Sequence, residues 1–229
     1  MALVKIIKKY FFCFPASLHE WLIISSCFSG LLLIIRMVVT GSLTYFFLPW
    51  NLLLAFIPYW ITRWLSIKIH IIENRIKLFF ALGIWLLFIP NSFYIITDLF
   101  HLSHFGSAPK WFDLLLIFSF AWNGILCGII SLRRVEIILS LIRGKGFSLL
   151  LVFLVMWLCA FGIYIGRFLH FNSWDIITNP ISLAGEILDM VIHPFENSYV
   201  WGMTLCYGVF MTVLYLTIKK TGKIFYEGN

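Results

Sequence analysis

The chain has 229 residues, 62% of them hydrophobic and only 12% charged, with a mean hydropathy of +0.97. A soluble domain of this length needs far more charge to cover its surface, so composition excludes that class and predicts a polytopic membrane protein. The net charge of +7 is not read as a nucleic-acid footprint, because the basic residues fall between apolar runs, where they set topology.

In chain order, residues 1–17 form a short segment with Lys5, Lys8 and Lys9. No small-residue cleavage pattern follows, so the apolar stretch 18–39 is expected to be a retained first span, with Arg36 snorkelling near its far end. A second span is predicted over 45–64, bent by Pro49 and Pro58, with Asn51 as its strongly polar interior group. The third runs over 76–98. The fourth covers 112–132, where Gly124 and Gly128 have the small-xxx-small spacing that lets helices approach closely. The basic stretch 133–146 is expected to connect it to a fifth span over 147–170. Asn179 and Pro180 make an N-cap and N1 pair, opening a short helix over 181–193. Its polar residues Ser182, Glu186, Asp189 and His193 recur at helical spacing among apolar ones, the pattern of a helix lying on a membrane surface. A sixth span over 199–218 ends in Lys219, Lys220 and Lys223. Cys13, Cys27, Cys127, Cys159 and Cys206 form no CxxC pair and read as small apolar residues.

The predicted fold is therefore all-α: one transmembrane domain of six helices with a short amphipathic surface helix. Six spans place both termini on one side. That side then carries 14 of the 17 Lys and Arg residues, and Arg36, Lys110 and Arg167 fall on the other. The positive-inside rule puts both termini in the cytoplasm. The acids show the reverse bias, with Asp98, Asp113, Asp175, Glu186, Asp189 and Glu196 outside.

Candidate functional residues concentrate at the outer end of the third span. Pro90 removes a backbone donor there and frees the Leu86 carbonyl. Asn91, Tyr94, Asp98 and His101 follow at spacings that set them on one α-helical stripe. An Asp at mid-bilayer costs roughly 2.5–3.5 kcal/mol, so such a residue faces protein or water. Asp113, Arg167, Asn172 and Asp175 are expected at the same depth, with Arg167 as a counter-ion for Asp98 or Asp175. Two chemistries fit. One is a divalent metal held by Asp98, His101 and His104, since carboxylate and imidazole together suit zinc, manganese or iron; against it, both histidines read equally as solvated loop residues. The other is a polar cavity for a ligand or protons; against it stands a structural ion pair. Ser92 and Ser173 lack the His–acid partners of a nucleophile, and no P-loop, dinucleotide fingerprint or HExxH motif is present.

Several short motifs carry a resemblance. Pro90–Asn91, Tyr94, Thr97–Asp98 and His101–Leu102 form the first. Trp111–Phe112–Asp113 forms the second. Gly162–Ile163–Tyr164, Gly166–Arg167–Phe168, Asn172–Ser173–Trp174–Asp175 and Asn179–Pro180 form the third. In this order, over roughly 50–218, they resemble the bacterial membrane family catalogued as domain of unknown function 1361; Ser92–Phe93 departs from the Ala-Pro of many members. The resemblance implies a multi-span protein of the bacterial cytoplasmic membrane and implies no reaction.

Three function classes stay open. A membrane enzyme acting on a lipid or envelope substrate needs the outer acids and histidines to converge. A small-solute or proton-coupled transporter needs a polar path inward, for which Asn51 and Asn123 are the candidates. An accessory subunit of an envelope complex needs neither. The bilayer is the partner common to all three.

Overall fold

The computed structural model describes residues 16–103, 108–171 and 173–227. They fold into nine α-helices and one 3-10 helix, with no strand among them. Five helical stretches are long and apolar enough to cross a membrane: Leu18–Thr40, Arg75–Leu102, Lys110–Arg143, Lys145–Phe168 and Ser198–Gly222. The chain is an all-α membrane protein. It divides into two compact units, Met1–Ser148 and Leu149–Asn229.

The first unit holds α1 (Ala16–Thr40), α2 (Phe47–Ile67), α3 (Ile69–Glu73), α4 (Arg75–Tyr94), the 3-10 helix Ile95–Ser103 and α5 (Lys110–Arg143). α5 is its centre. Cys127, Leu132, Val135 and Ile138 are all fully enclosed, which accounts for a helix apolar on nearly every face. Polar contacts fix the directions of its neighbours. Arg36 of α1 meets Asp113 and Ser29 meets Asn123, so α1 runs antiparallel to α5. Tyr45, just before α2, meets Asp113, and Thr62 of α2 meets Ser131, so α2 runs parallel to α5.

α4 packs closest. A Cβ added at Gly128 would lie 2.8 Å from Ser92 Cβ, and one at Gly124 would lie 3.2 Å from the Ser92 carbonyl oxygen and 2.5 Å from Ile95 Cγ2. The two glycines let the Ser92–Ile95 backbone sit directly on α5, as their spacing predicts. Ser92 Oγ then reaches across to donate to the Ala55 carbonyl at 2.9 Å. That carbonyl is next to the one Pro58 frees at Leu54.

Several boundaries differ from the sequence reading. Pro49 falls in the first turn of α2, where a missing N–H interrupts no helical bond. The helix through Pro90 continues to Tyr94 and then tightens into the 3-10 form. α5 runs eleven residues beyond the predicted end at 132, so most of 133–146 is helix and no loop. The reason is burial: Val135, Ile138 and Leu139 are enclosed, and Ile138 packs with Leu65, Ile71, Ile72 and Leu78. α5 ends at Gly144, whose φ of 91° suits a residue without a side chain.

The second unit holds α6 (Lys145–Phe168), which begins just before the division, then α7 (Asp175–Thr178), α8 (Pro180–Ile192) and α9 (Ser198–Glu227). α6 and α9 are antiparallel. Phe161 stacks on Trp201 with centroids 5.6 Å apart, and Gly208 lies against Trp157. α8 is the short helix expected over 181–193. Pro180 occupies its first turn and it stops before Pro194, although Asn179 makes no side-chain capping bond. Leu183 and Met190 face inward, and Trp201 Nε1 donates to the Met190 carbonyl at 3.1 Å. Ser182, Glu186, Asp189 and His193 are exposed, as their stripe requires. So are Ile181 (87%) and, beyond the helix, Phe195 (93%), which leaves apolar surface for lipid.

Candidate functional site

The buried charged residues of the first unit lie toward its two ends. At the end where α1 finishes and α5 begins, Arg36 and Asp113 form an ion pair that is nearly inaccessible, with side chains 1% and 2% exposed. Nε donates to Oδ1 at 2.7 Å and Nη2 to Oδ2 at 3.3 Å, the two-pronged geometry that suits a guanidinium. Thr40, one turn after Arg36, accepts from Nη1 at 3.3 Å. Tyr45 lies in the connection between α1 and α2. Its hydroxyl is within 3.3 Å of Asp113 Oδ2 and 3.5 Å of the His101 carbonyl, and its ring stands 4.4 Å from the Arg36 guanidinium carbon. Burial first, then the Asp113 charge and hydrogen bond, push this hydroxyl up to about 12, so it stays a donor. Arg36 was expected to snorkel. It turns inward instead, because Asp113 offers a fully buried counter-ion at the same depth.

Asp98 is the second buried acid at this end, 1% exposed, and Asn51 Nδ2 of α2 donates to its Oδ2 at 2.8 Å. The 3-10 helix explains its placement. Its period of three sets Ile95, Asp98 and His101 on one face, so the expected α-helical stripe through Asn91, Tyr94, Asp98 and His101 is cut at Tyr94. Ile95 and Asp98 are buried, and His101 is half-buried with its ring 5.0 Å from that of Phe47. Asn91 and Tyr94, on the last turn of α4, are half-buried.

Arg167 and Asp175 belong to the second unit, where both are half-buried and Thr178 Oγ1 donates to Asp175 at 2.8 Å. Asn172 and His104 lie outside the described residues. Among the described residues no three His, Cys, Asp or Glu side chains converge as metal ligands would.

The other end of the unit has its own network. Trp85 Nε1 of α4 donates to Ser131 Oγ at 2.7 Å, and Ser131 donates to the Pro58 carbonyl at 2.9 Å. Beside it, Tyr59 joins three elements. Its hydroxyl is 3.1 Å from His19 Nδ1, its ring lies 4.7 Å from the Arg134 guanidinium carbon, and its carbonyl accepts from Arg134 at 3.4 Å.

Arg36, Tyr45 and Asn51 are the partners that the stripe on the third span did not reveal. One signal existed: a single Arg near the end of the first span, at the depth predicted for Asp113. No match was found among curated proteins or among solved structures. A family model does match, over residues 50–214, which include Asn51, Asp98, His101, Asp113, Arg167 and Asp175. The chain belongs to the protein family of unknown function DUF1361.

Proposed function

We propose that this is a six-span protein of a bacterial cytoplasmic membrane, with both termini in the cytoplasm and the Asp113 end of its first unit facing outward. The sixth span is α2. Its 21 residues extend about 31 Å at 1.5 Å per residue, enough for the hydrocarbon core. Asn51, Arg63 and two prolines lower its apolar character, and Asn51 is satisfied by Asp98. The 14-to-three division of basic residues supports the orientation.

The outward end is a polar ligand site, and one observation carries this reading. Two carboxylates from different elements, Asp98 and Asp113, are both buried at one end of a membrane unit. Intramembrane acids are costly and mark functional positions. Arg36 and Tyr45 hold Asp113 fixed, and Asn51 donates to Asp98. The half-buried amide, phenol and imidazole of Asn91, Tyr94 and His101, close to these acids in the chain, suit a small polar solute or the headgroup of an envelope lipid. In a background lacking the five native cysteines, Asn91→Cys is expected to react with a membrane-impermeant maleimide from the outside. Reaction only from the cytoplasmic side, or none in intact cells and in inverted vesicles, would exclude an outward site.

A further inference from the structure

The opposite end of the first unit carries an open groove of about 450 Å³ between α1 and α2, lined by His19, Ile23, Ser26, Cys27, Phe56 and Trp60. That volume falls within the roughly 300–1,000 Å³ typical of ligand pockets. The lining changes character along its length. Ile23, Cys27 and Trp60 are exposed, and Phe56 backs them. At the groove's end stands His19, held by Tyr59. Arg63 follows Phe56 and Trp60 at helical spacing on α2, and Arg134 stands over the Tyr59 ring. His19 and Arg134 both meet Tyr59, and Arg63 lies one turn further along α2. Arg63 Nη1 is buried, and no hydrogen-bond acceptor among the described residues reaches it. Glu20, the acid beside His19, is exposed.

We propose that this groove holds one anionic phospholipid, its phosphate against Arg63, Arg134 and His19 and an acyl chain along Ile23, Phe56 and Trp60. A guanidinium nitrogen buried without an acceptor is costly, and a phosphate oxygen removes that cost. Basic pockets between membrane helices suit such headgroups. Charge selects the occupant. The chain's own segment before α1 carries Lys5, Lys8 and Lys9, which have the wrong sign for this end. A zwitterionic lipid presents a cation beside its phosphate, and a free anion leaves the apolar stretch empty.

Native mass spectrometry of the full chain tests this, with the protein released from micelles containing equal dioleoylphosphatidylglycerol and dioleoylphosphatidylcholine. The 1:1 adduct is expected to be predominantly phosphatidylglycerol. Arg63→Gln is expected to lower the phosphatidylglycerol-to-phosphatidylcholine ratio roughly fivefold, the weight of one arginine against one headgroup. Lys68→Gln, an exposed basic residue nearby, is expected to leave it unchanged. Ser26→Phe changes no charge, fills the groove, and is expected to remove the adduct; it decides the matter if Arg63→Gln does not fold. Equal retention of both lipids, or a ratio indifferent to both variants, would overturn the proposal. Displacement of the lipid by excess inorganic phosphate would make the occupant a free anion and overturn the lipid assignment.

Discussion

Breaking the Arg36–Asp113 pair is predicted to destabilise the first unit more than its net contribution suggests. At 2.7 Å and an effective dielectric of about 20, the two charges attract by about 6 kcal/mol. Desolvating each ion costs several kcal/mol, so the intact pair is near balance. A lone survivor is not. Arg36→Gln or Asp113→Asn leaves one charge enclosed, and each is predicted to cost about 3–5 kcal/mol. The double variant replaces two buried charges by two neutral amides and is predicted to cost less than the sum of the singles. The coupling should lie toward the upper end of the roughly 0.5–3 kcal/mol range for contacting residues, because both side chains are almost wholly enclosed. Unfolding by dodecyl sulfate in mixed micelles, followed by tryptophan fluorescence, measures all three. Strict additivity, or single variants within about 0.5 kcal/mol of the parent, the usual range for surface changes, would refute the reasoning.

Other predictions follow from the same contacts. Tyr45→Phe removes a donor to a buried carboxylate and should cost about 1.5–3 kcal/mol in the same assay. Gly128→Ala places a Cβ 2.8 Å from Ser92 Cβ and should cost about 1–3 kcal/mol. Gly30→Ala, which meets nothing within 4 Å, should be neutral or stabilise by up to about 1 kcal/mol through helix propensity. Ser131→Ala strands the buried Trp85 Nε1 and should lower stability by about 1–3 kcal/mol, whereas Ser140→Ala, whose hydroxyl bonds only its own helix, should change it little.

Much of this fold was legible because a bilayer narrows the choices. Apolar length marked five of the spans, and the Gly124–Gly128 spacing marked the part of α5 that a neighbour approaches closely, without naming that neighbour. Pro180 and the Ser182–His193 stripe fixed α8 to within a residue at each end. Three features were hidden for physical reasons. The 3-10 segment begins where the Ser92–Ile95 backbone meets two glycines of α5, and i, i+3 and i, i+4 spacings cannot distinguish it from a continuing α-helix. The extension of α5 through Arg133 and Arg134 contradicts the habit of ending a span at its first basic pair. It persists because Arg134 finds the Tyr59 ring and carbonyl, and because Val135, Ile138 and Leu139 bury the next turns. At the candidate site, Asp98 was singled out by the cost of an acid at that depth and Asp113 by its expected place at the same depth. Arg36, Tyr45 and Asn51 were not assigned to them, because a stripe on one helix says nothing about which neighbour faces it.

The central claim is that the first unit crosses the membrane with its Asp113 end outside. Single cysteines at Lys110, the first residue of α5, and at Lys145, just past its other end, both exposed, test it in a background with the native cysteines replaced by alanine. A membrane-impermeant maleimide is predicted to label Lys110→Cys in intact cells and Lys145→Cys only in inverted vesicles. Labelling of both from one side, or the reverse pattern, would contradict the account.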